Sequence, residues 1–321
     1  MQILITGVAG FIGFGLSRFL LKNSRLKIYG IDNINNYYSK TLKLKRIKEL
    51  KKFKNFKFQK IDITKQSNLN KFFEKKNIKI VINLAAQAGV RYSLKKPSEF
   101  VSNNIQGFYN VVHCSHLNNV KKIFYASSSS VYGDTKNFPL KETYLVNPKN
   151  IYSLSKKNNE EMAEIFSKQF KIELIGLRFF TIYGEWGRPD MFLMKYMNSS
   201  FNPKKKFYLN NFGNHTRDFT YIQDVCKILE KLILRNKKKF NHEIFNICSN
   251  NPIKLTNVMK EINYLTKRKP KIYKRGLQAA DVVKTHGSNK KILKIIGNFK
   301  FTKINVGLDN TIRWFKKYHK Y

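Results

Sequence analysis

The sequence predicts an α/β fold: a doubly wound parallel sheet with a smaller C-terminal lobe. Short runs rich in Val, Ile and Phe recur along the chain, and segments with apolar residues every three or four positions separate them. Strands that alternate with helices in this way form right-handed βαβ units, whose parallel sheet is covered on both faces. The alternation weakens after about residue 178, where loops rich in Gly, Pro and Asn follow.

Each predicted strand is short and dominated by β-branched and aromatic residues, which suit a pleated sheet. In chain order the predicted strands are QILIT (2–6), LKIYGID (26–32), FKFQKID (56–62), IKIVINLA (78–85), KKIFYASS (121–128), IELIGLRF (172–179) and HEIFNICS (242–249). The predicted helices between them are 14–23, with a start near Phe11, then 40–53, 66–77, 98–119 and 155–170. We therefore divide the chain into a sheet domain, 1–177, which the strand near 242–249 rejoins, and a second lobe, 178–321.

The charge of the chain is extreme, because 62 Lys and Arg against 20 Asp and Glu give a formal net charge of +42. Such a balance favours anionic partners, and a nucleic-acid-binding protein is one hypothesis. The densest basic run, 43–60, interleaves aromatic residues with lysines, but lysines are spread at similar density over other segments. We expect a solvated basic surface that attracts a small anionic substrate, rather than a nucleic-acid interface.

The cysteines and histidines predict neither a disulfide framework nor a metal site. Cys114, Cys226 and Cys248 are odd in number and lack CxxC spacing, which is typical of a reducing, cytoplasmic setting. His113 and His116 flank Cys114, but no second ligand pair is in sequence range. Glycines and a late arginine interrupt the apolar opening stretch, so it predicts neither a membrane span nor a signal peptide.

A glycine-rich turn follows the first predicted strand. TGVAGFIG (6–13) spaces its glycines by three, and a helix is expected directly after it. A strand, a tight turn and a helix N-terminus present free backbone N–H groups and a positive dipole to a pyrophosphate. The second strand ends at Asp32, about 20 residues further on, where a carboxylate accepts both hydroxyls of an adenosine ribose. Asp32 would repel a 2′-phosphate and Asn33 supplies no cation, so the pattern predicts NAD rather than NADP.

The expected cofactor residues are those of the glycine turn and those that end the neighbouring strands. They are Gly7, Gly10, Phe11, Ile12, Gly13, Asp32, Asn33, Asp62, Ile63, Leu84, Ala85 and Ala86.

A tyrosine and a lysine four residues apart form the candidate catalytic pair. In NIYSLSKKN, Tyr152 and Lys156 lie on one face of a predicted helix. A phenol with a pKa of about 10 is a poor base at neutral pH. A neighbouring ammonium and the charge of an oxidised nicotinamide both lower that pKa, which makes Tyr152 a credible acid and base. The serines of YASSSSVYG (125–133) end the fifth strand, at the same edge of the sheet.

These motifs resemble those of extended short-chain dehydrogenase/reductases and, among them, the nucleotide-sugar epimerases. The resemblance covers nearly the whole chain and is closest to UDP-glucuronate 4-epimerases. The segments that carry it are TGVAGFIG (6–13), DNINNYY (32–38), NLAAQAGVRYS (83–93), YASSSSVYG (125–133), YSLSK (152–156), LRFFTIYGEWGRPDM (177–191) and RDFTYIQD (217–224).

The resemblance implies a Rossmann-like NAD-binding domain and a lobe that binds the nucleotide-sugar. It implies that NAD removes hydride from C4 of the sugar and returns it to the opposite face. Tyr152 would take and restore the proton of the 4-hydroxyl, Lys156 would bind the nicotinamide ribose, and Ser128 would hydrogen-bond O4. It also implies a homodimer formed through the helices at 98–118 and 151–169.

The chemistry of a uronate gives a check on the subfamily. Oxidation at C4 makes a β-keto acid, which loses carbon dioxide unless its carboxylate is held, so several donors are expected around it. The resemblance places Arg217 at the diphosphate and Asp281, more weakly Gln278, at the uridine ribose. The other residues expected on the substrate side are Arg91, Ser128, Ser129, Ser130, Thr181 and Arg188.

Two features of the sequence favour the uronate over related substrates. Decarboxylases and dehydratases of this type carry an Asp or Glu within the segment that is SSSS here, and hexose epimerases have Asn where this chain has Thr181. The open alternatives are a 4-epimerase for UDP-N-acetylglucosamine or its uronate, a UDP-glucuronate decarboxylase, and a non-catalytic basic protein that binds nucleic acid. Asn83, AAD (279–281) and HGSN (286–289) depart from the family pattern.

Overall fold

The strands of the computed structural model follow the predicted ones closely. The structure describes residues 1–74, 76–235 and 241–321. Within these residues the strands are β1 (Gln2–Thr6), β2 (Lys27–Asp32), β3 (Phe56–Lys60), β4 (Ile80–Asn83), β5 (Lys122–Ser128), β6 (Glu173–Phe179), β7 (Thr181–Tyr183), β8 (Phe207–Leu209), β9 (Thr216–Tyr221), β10 (His242–Ile247), β11 (Pro252–Lys254) and β12 (Ile272–Lys274).

The helices cover both faces of the main sheet and build most of the second lobe. They are α1 (Phe11–Leu20), α2 (Lys40–Leu50), α3 (Gln66–Glu74), α4 (Val90–Ser93), α5 (Pro97–Phe100), α6 (Gly107–Leu117), α7 (Ile151–Phe170), α8 (Phe192–Phe201), α9 (Ile222–Ile233), α10 (Leu255–Thr266), α11 (Lys290–Ile296) and α12 (Ile304–His319). The predicted helix 66–77 includes Lys75, which lies outside the described residues.

The main sheet is parallel throughout, and in the described chain its strand order is β10-β6-β5-β4-β1-β2-β3. This order reverses direction at β1, so the crevice for a ligand lies at the carboxyl ends of β1 and β4. The predicted doubly wound α/β fold is confirmed. Small sheets, β11-β9-β7 and β12-β8, belong to the second lobe.

The chain crosses between the two lobes more than once. After β7, α8 and β8–β9, the strand β10 returns to the main sheet and pairs in parallel with β6. Helices α1 and α9 then pack so closely that a Cβ on Gly15 would lie 2.9 Å from the Ile222 side chain. One apolar cluster accordingly runs from β1 and α1 into α8, α9 and α12, so the lobes share a core.

The segment predicted as one helix, 98–119, is interrupted. A π-helical turn, Val101–Gln106, separates α5 from α6. Within this turn Asn104 is buried, and its carboxamide accepts from the Gln87 backbone N–H at 2.7 Å and donates to the Ser155 hydroxyl at 2.9 Å. Such turns often occur at functional sites. Here the turn lets Asn104 join the loop after β4 to α7.

No helix in residues 1–74, 76–235 or 241–321 has the length and apolar character that a bilayer crossing requires.

Candidate functional site

A cavity of about 300 Å³ opens at the carboxyl ends of β1, β2, β4 and β5. It lies at the crevice that the strand order creates. The predicted residues that line it are Gly7, Gly10, Phe11, Ile12, Gly13, Asp32, Asn33, Ile63, Leu84, Ala85, Ala86, Ser128, Tyr152 and Lys156. We call this space the cofactor cavity.

The glycines of the first turn are needed because backbone atoms meet there without room for side chains. Gly7 has φ +68°, and a Cβ on it would lie 2.7 Å from the Ala85 backbone nitrogen. A Cβ on Gly13 would lie 2.3 Å from the Gly7 carbonyl oxygen. Helix α1 begins directly after Gly10, whose position has no side-chain cap within the described chain. Its first N–H groups therefore face the cavity, and this cradle fits a pyrophosphate.

Asp32 is held at the end of β2 with its carboxylate toward the cofactor cavity. It accepts from the backbone N–H of Ala9 at 3.0 Å and of Ile34 at 2.7 Å. Burial raises the pKa of Asp32, while these bonds and the charge of Lys43 lower it. A carboxylate placed beside a phosphate cradle is the arrangement that recognises the ribose hydroxyls of NAD. The residues present therefore fit this dinucleotide.

Asp62 has a supporting position instead of a place in the cavity wall. Its carboxylate accepts from the Asn33 side chain at 3.0 Å and from the Thr64 backbone N–H at 2.9 Å. Desolvation opposes these bonds, yet the net pKa of Asp62 is lowered. Asp62 thus orients Asn33, which does line the cavity.

Tyr152 and Lys156 come from the first two turns of α7, which begins at a complete capping box formed by Asn150 and Ser153. Both side chains line the cofactor cavity. Lys156 is 3% exposed and donates to the Ala126 carbonyl of β5 at 2.9 Å. Burial lowers the pKa of Lys156 to about 8, against a smaller raising effect of Glu160.

The pKa of Tyr152 differs from the expectation based on its lysine neighbour. Burial raises it, and the groups that lower it are the Ser128 hydroxyl, as a hydrogen-bond partner, and the charge of Arg188. Ser128 and Arg188 therefore take the part that the spacing assigned to the ammonium of Lys156. The Ser130 hydroxyl and backbone N–H donate in turn to Ser128 Oγ, at 2.8 and 3.2 Å.

A buried ion pair supports this wall from behind. Arg178 on β6 donates to both oxygens of Glu160 on α7, at 2.8 and 2.7 Å, and Ser127 donates to Glu160 at 2.5 Å. Both charged side chains are almost fully buried. Ser127 therefore has a structural role, and the Glu160 pair fixes the helix turn after Lys156.

A second cavity of about 820 Å³ continues from the first toward the second lobe. Phe11, Tyr37, Ile182, Arg188 and Met191 line both spaces. Besides Arg188, the wall of the second cavity contains four more of the predicted substrate residues: Arg91, Thr181, Arg217 and Asp281. We call it the nucleotide-sugar cavity, after the ligand that the resemblance implies.

Arg188 stands at the junction of the two cavities. Its guanidinium donates to both oxygens of Asp190, at 3.1 and 2.6 Å, and the Tyr37 hydroxyl donates to Asp190 at 3.1 Å. Its charge also acts on Tyr152, as the pKa of that phenol shows. A fixed cation is thus placed where a sugar bound between the cavities would lie.

Arg91, Asp281 and Arg217 form contacts that the sequence did not predict. Arg91 binds Asp281 through two hydrogen bonds, at 3.1 and 2.6 Å, across the nucleotide-sugar cavity. Arg217 donates to the backbone carbonyls of Val282 and Val283, at 2.6 and 2.8 Å. Arg217 therefore fastens the segment that carries Asp281, in addition to lining the cavity.

Three predicted substrate residues lie outside both sets of lining residues. Gln278 is exposed, with its amide directed to the Gly276 carbonyl at 3.5 Å. Ser129 and Ser130 occupy the 3₁₀ turn after β5. The turn carries Ser129 and Ser130 past the sheet edge, and Ser130 positions Ser128 instead of lining the cavity.

Several lining residues were missed because no short motif contains them. Lys43, on the first turns of α2, lines the cofactor cavity and donates to Asn35. In the nucleotide-sugar cavity the missed polar residues are Lys195, Lys205, Lys206, Asn210, His215 and Arg275. The lysine pair in the loop before β8 was visible as local charge, but charge is so abundant in this chain that it singled out nothing.

Arg46 joins the cofactor cradle to the second lobe. Its side chain is fully buried, and its guanidinium donates to the Ala9 carbonyl and the Tyr38 hydroxyl, each at 2.7 Å. It also donates to the Trp186 carbonyl. Trp186 has φ +61°, a strained conformation for a bulky residue. A buried cation thus links the glycine turn to the backbone just before Arg188.

The His113–His116 group has structural contacts. The ring of His113 stacks on Tyr109 at 5.3 Å between centroids, and that of His116 stacks on Phe170 at 4.1 Å. Cys114 lies on α6, and its side chain is buried in the apolar core.

Comparison with known proteins identifies the family to which the chain belongs. The family model described as NAD dependent epimerase/dehydratase family matches residues 3–248. Among curated proteins, the chain is 35% identical to UDP-glucuronate 4-epimerase of Thermodesulfobacterium geofontis, over 98% of this chain and 96% of that one. It is 35% identical to UDP-glucuronate 4-epimerase 2 of Arabidopsis thaliana, over 100% of this chain and 77% of that one.

Solved structures agree with these relatives. The crystal structure of UDP-glucuronic acid 4-epimerase from Bacillus cereus, in complex with UDP-glucuronic acid and NAD, superposes with a TM-score of 0.93. It is 28% identical to this chain, with 99% of this chain and 100% of that one covered. The resemblance to nucleotide-sugar epimerases that the motifs indicated is confirmed.

Proposed function

Because the chain belongs to the NAD dependent epimerase/dehydratase family, we propose that it is a UDP-glucuronate 4-epimerase that interconverts UDP-glucuronate and UDP-galacturonate. The observation that carries the proposal is the position of Tyr152, Lys156 and Ser128. They line the cofactor cavity, whose wall continues through Arg188 into the nucleotide-sugar cavity. In the proposed reaction this position would let Tyr152 exchange a proton with a sugar that enters from the nucleotide-sugar cavity.

The cofactor cavity offers a site for the dinucleotide. The N-terminus of α1 and the glycine turn would hold the pyrophosphate, and Asp32 would accept from the adenosine ribose. NAD supplies reversible hydride transfer at C4 of the sugar. Every other step belongs to side chains of this chain.

Tyr152 moves the proton of the 4-hydroxyl. Ser128 donates toward the phenol oxygen and Arg188 adds a positive charge, and both favour the phenolate that accepts this proton. Lys156, held by the Ala126 carbonyl, adds an ammonium to the wall of the same cavity. Because the phenol can return the proton after the sugar turns over, one residue serves both halves of the reaction.

The substrate side is suited to a trianionic ligand. Its wall carries far more cations than carboxylates, and the two carboxylates, Asp190 and Asp281, are each paired with an arginine. We propose that Arg188, Thr181 and Ser128 hold the sugar and its carboxylate, which suppresses decarboxylation of the keto acid. The cations further along the wall would meet the diphosphate.

The test is the product of UDP-glucuronate followed by NMR with purified protein. We expect bound NAD after purification and conversion to UDP-galacturonate. Formation of UDP-xylose would show that the protein is a decarboxylase instead. Conversion of UDP-N-acetylglucosamine alone would show that it is a 4-epimerase for that sugar. Protein that carries no NAD, converts none of these substrates and binds RNA with a steep salt dependence would favour the non-catalytic alternative.

We further propose that the protein acts in the cytoplasm as a homodimer. Four large apolar side chains on the α5–α7 surface are about half exposed: Val101, Leu117, Leu154 and Ile165. An apolar surface of this kind on two adjacent helices is typical of a subunit interface. Light scattering should give twice the 37.8 kDa chain mass. The substitution Ile165→Lys should give the monomer, and a wild-type monomer would contradict the proposal.

A further inference from the structure

His215 is a buried histidine with an unused hydrogen-bonding atom in the wall of the nucleotide-sugar cavity. Its side chain is 4% exposed and lines the cavity together with Arg217 and Asp281. Its Nε2 atom has no hydrogen-bond partner in the part of the chain that the structure describes. Buried polar atoms are almost always satisfied, so an unsatisfied one at a cavity wall indicates a group that the ligand brings.

The other nitrogen of the ring determines what Nε2 offers. A hydrogen bond to the Asn210 backbone raises the pKa of His215, which identifies the imidazole as the donor to that carbonyl. Since Nε2 is the unpartnered nitrogen, the donor is Nδ1. Burial, followed by the charge of Arg217, lowers the pKa of His215 further than the Asp281 carboxylate and this bond raise it, which favours the neutral ring. A neutral ring with its proton on Nδ1 presents Nε2 as an acceptor.

Asp281 places a second acceptor beside the first. Its Oδ2 lies 3.8 Å from Nε2 of His215. Arg91 donates to both carboxylate oxygens, but each oxygen has a further lone pair. Two adjacent acceptors match a group with two adjacent donors. A vicinal diol is such a group, because each of its hydroxyls donates one hydrogen.

We propose that His215 and Asp281 together bind the ribose diol of the nucleotide, each accepting from one hydroxyl, and that His215 thereby selects ribonucleotide-sugars over their deoxy analogues. The inference rests on the proposed function for the identity of the ligand as a UDP-sugar. The resemblance assigned Asp281 to the ribose and assigned nothing to His215. Arg217 and Arg275 line the same cavity and supply positive charge for the diphosphate of such a ligand.

The test is calorimetric binding of UDP, 2′-deoxy-UDP and 3′-deoxy-UDP to the purified NAD-containing protein. Loss of one hydrogen bond should weaken each deoxy ligand about tenfold relative to UDP. We call the dissociation constant of each deoxy ligand divided by that of UDP its discrimination ratio. In His215→Phe, one of the two discrimination ratios should fall to about one and the other should persist. In Asp281→Ala, the ratio that persisted in His215→Phe should be lost. His215→Gln, whose Oε1 can replace the Nε2 acceptor, should restore most of the discrimination.

A matched control is His286→Phe, because His286 bonds Asn250 and lies outside both sets of lining residues. Both ratios should remain as in the wild type. The inference is overturned if His215→Phe keeps both ratios, or if the wild type binds the three ligands equally. Because binding is measured without turnover, failure to convert UDP-glucuronate would count against the proposed function alone. Failure of UDP itself to bind would overturn both.

Discussion

The cofactor cavity and the nucleotide-sugar cavity adjoin each other but are built by different means. The first is formed by backbone and small residues at the ends of adjacent strands, with Gly7 and Gly13 packed against other main-chain atoms. The second is formed by long charged side chains on loops that are distant in sequence, from Arg91 to Asp281. The first cavity therefore offers a ligand mainly a fixed shape, and the second offers it mainly positive charge.

The largest expected effect is at the phenol in the wall of the cofactor cavity. Tyr152→Phe removes the group that transfers the proton, so turnover should fall by several orders of magnitude, of which acid–base catalysis commonly accounts for about 10²–10⁴. Bound NAD, measured by absorbance after denaturation, should stay at the wild-type level. Near-normal epimerisation in this variant would remove the proton-transfer assignment.

A substitution in the cofactor cradle should abolish cofactor binding by shape alone. Gly13→Ala places a Cβ 2.3 Å from the Gly7 carbonyl oxygen, so the turn must shift. We expect NAD content and activity to fall by about 100-fold or more, since small misplacements at a site are costly.

The control for this substitution is Gly276→Ala. A Cβ there meets no described atom within 4 Å. NAD content and activity should match the wild type. If Gly13→Ala kept its NAD, the close-packed description of the cofactor cavity would be wrong.

The pH dependence should reveal Lys156. Because burial lowers the pKa of Lys156 to about 8, this residue is cationic below that pH and neutral above it. We expect kcat/KM to fall about tenfold per pH unit above pH 8, well below the usual lysine range. Glu160 raises the pKa of Lys156, so Glu160→Gln should move the fall to lower pH. If kcat/KM instead began to fall only near pH 10.5, this description of Lys156 would be wrong.

The smallest expected effect is on the charged cavity. Replacing Lys205 and Lys206 together by Ala should raise KM for UDP-glucuronate several-fold and weaken its dependence on salt, since exposed charges contribute through screened attraction. NAD content should not change. The matched pair Lys51 and Lys52, exposed at the end of α2, should leave KM unaltered when replaced by Ala. If replacing either lysine pair changed KM equally, the attraction of the substrate would come from the basic surface as a whole and not from this cavity.

Much of the fold could be predicted because the signals are local. Each strand of the main sheet lies within a predicted segment, and the helix start at Phe11 follows from the glycine turn. The interruption of the helix at 98–119 could not be predicted. It depends on Asn104 reaching Gln87 and Ser155, which lie in other parts of the chain.

The same distinction applies to the candidate site. Asp32, Tyr152 and Lys156 were found because each stands at a set distance from a strand or helix end. The positions of Ser129 and Ser130 depend on a 3₁₀ turn, and that of Gln278 on a loop, and residue type alone does not determine either. His215 and Arg46 carry no motif at all, and only their burial and partners reveal them.

The amino-acid sequence by itself determined the parallel α/β sheet, the pyrophosphate cradle and the tyrosine–lysine pair. It did so because hydrophobic periodicity, glycine turns and helical spacing act over a few residues. The tertiary structure alone decided how the second lobe meets the first, through the link made by Arg46 and the pairing of Arg91 with Asp281. These contacts join residues far apart in the chain, and their geometry follows from packing of the whole molecule.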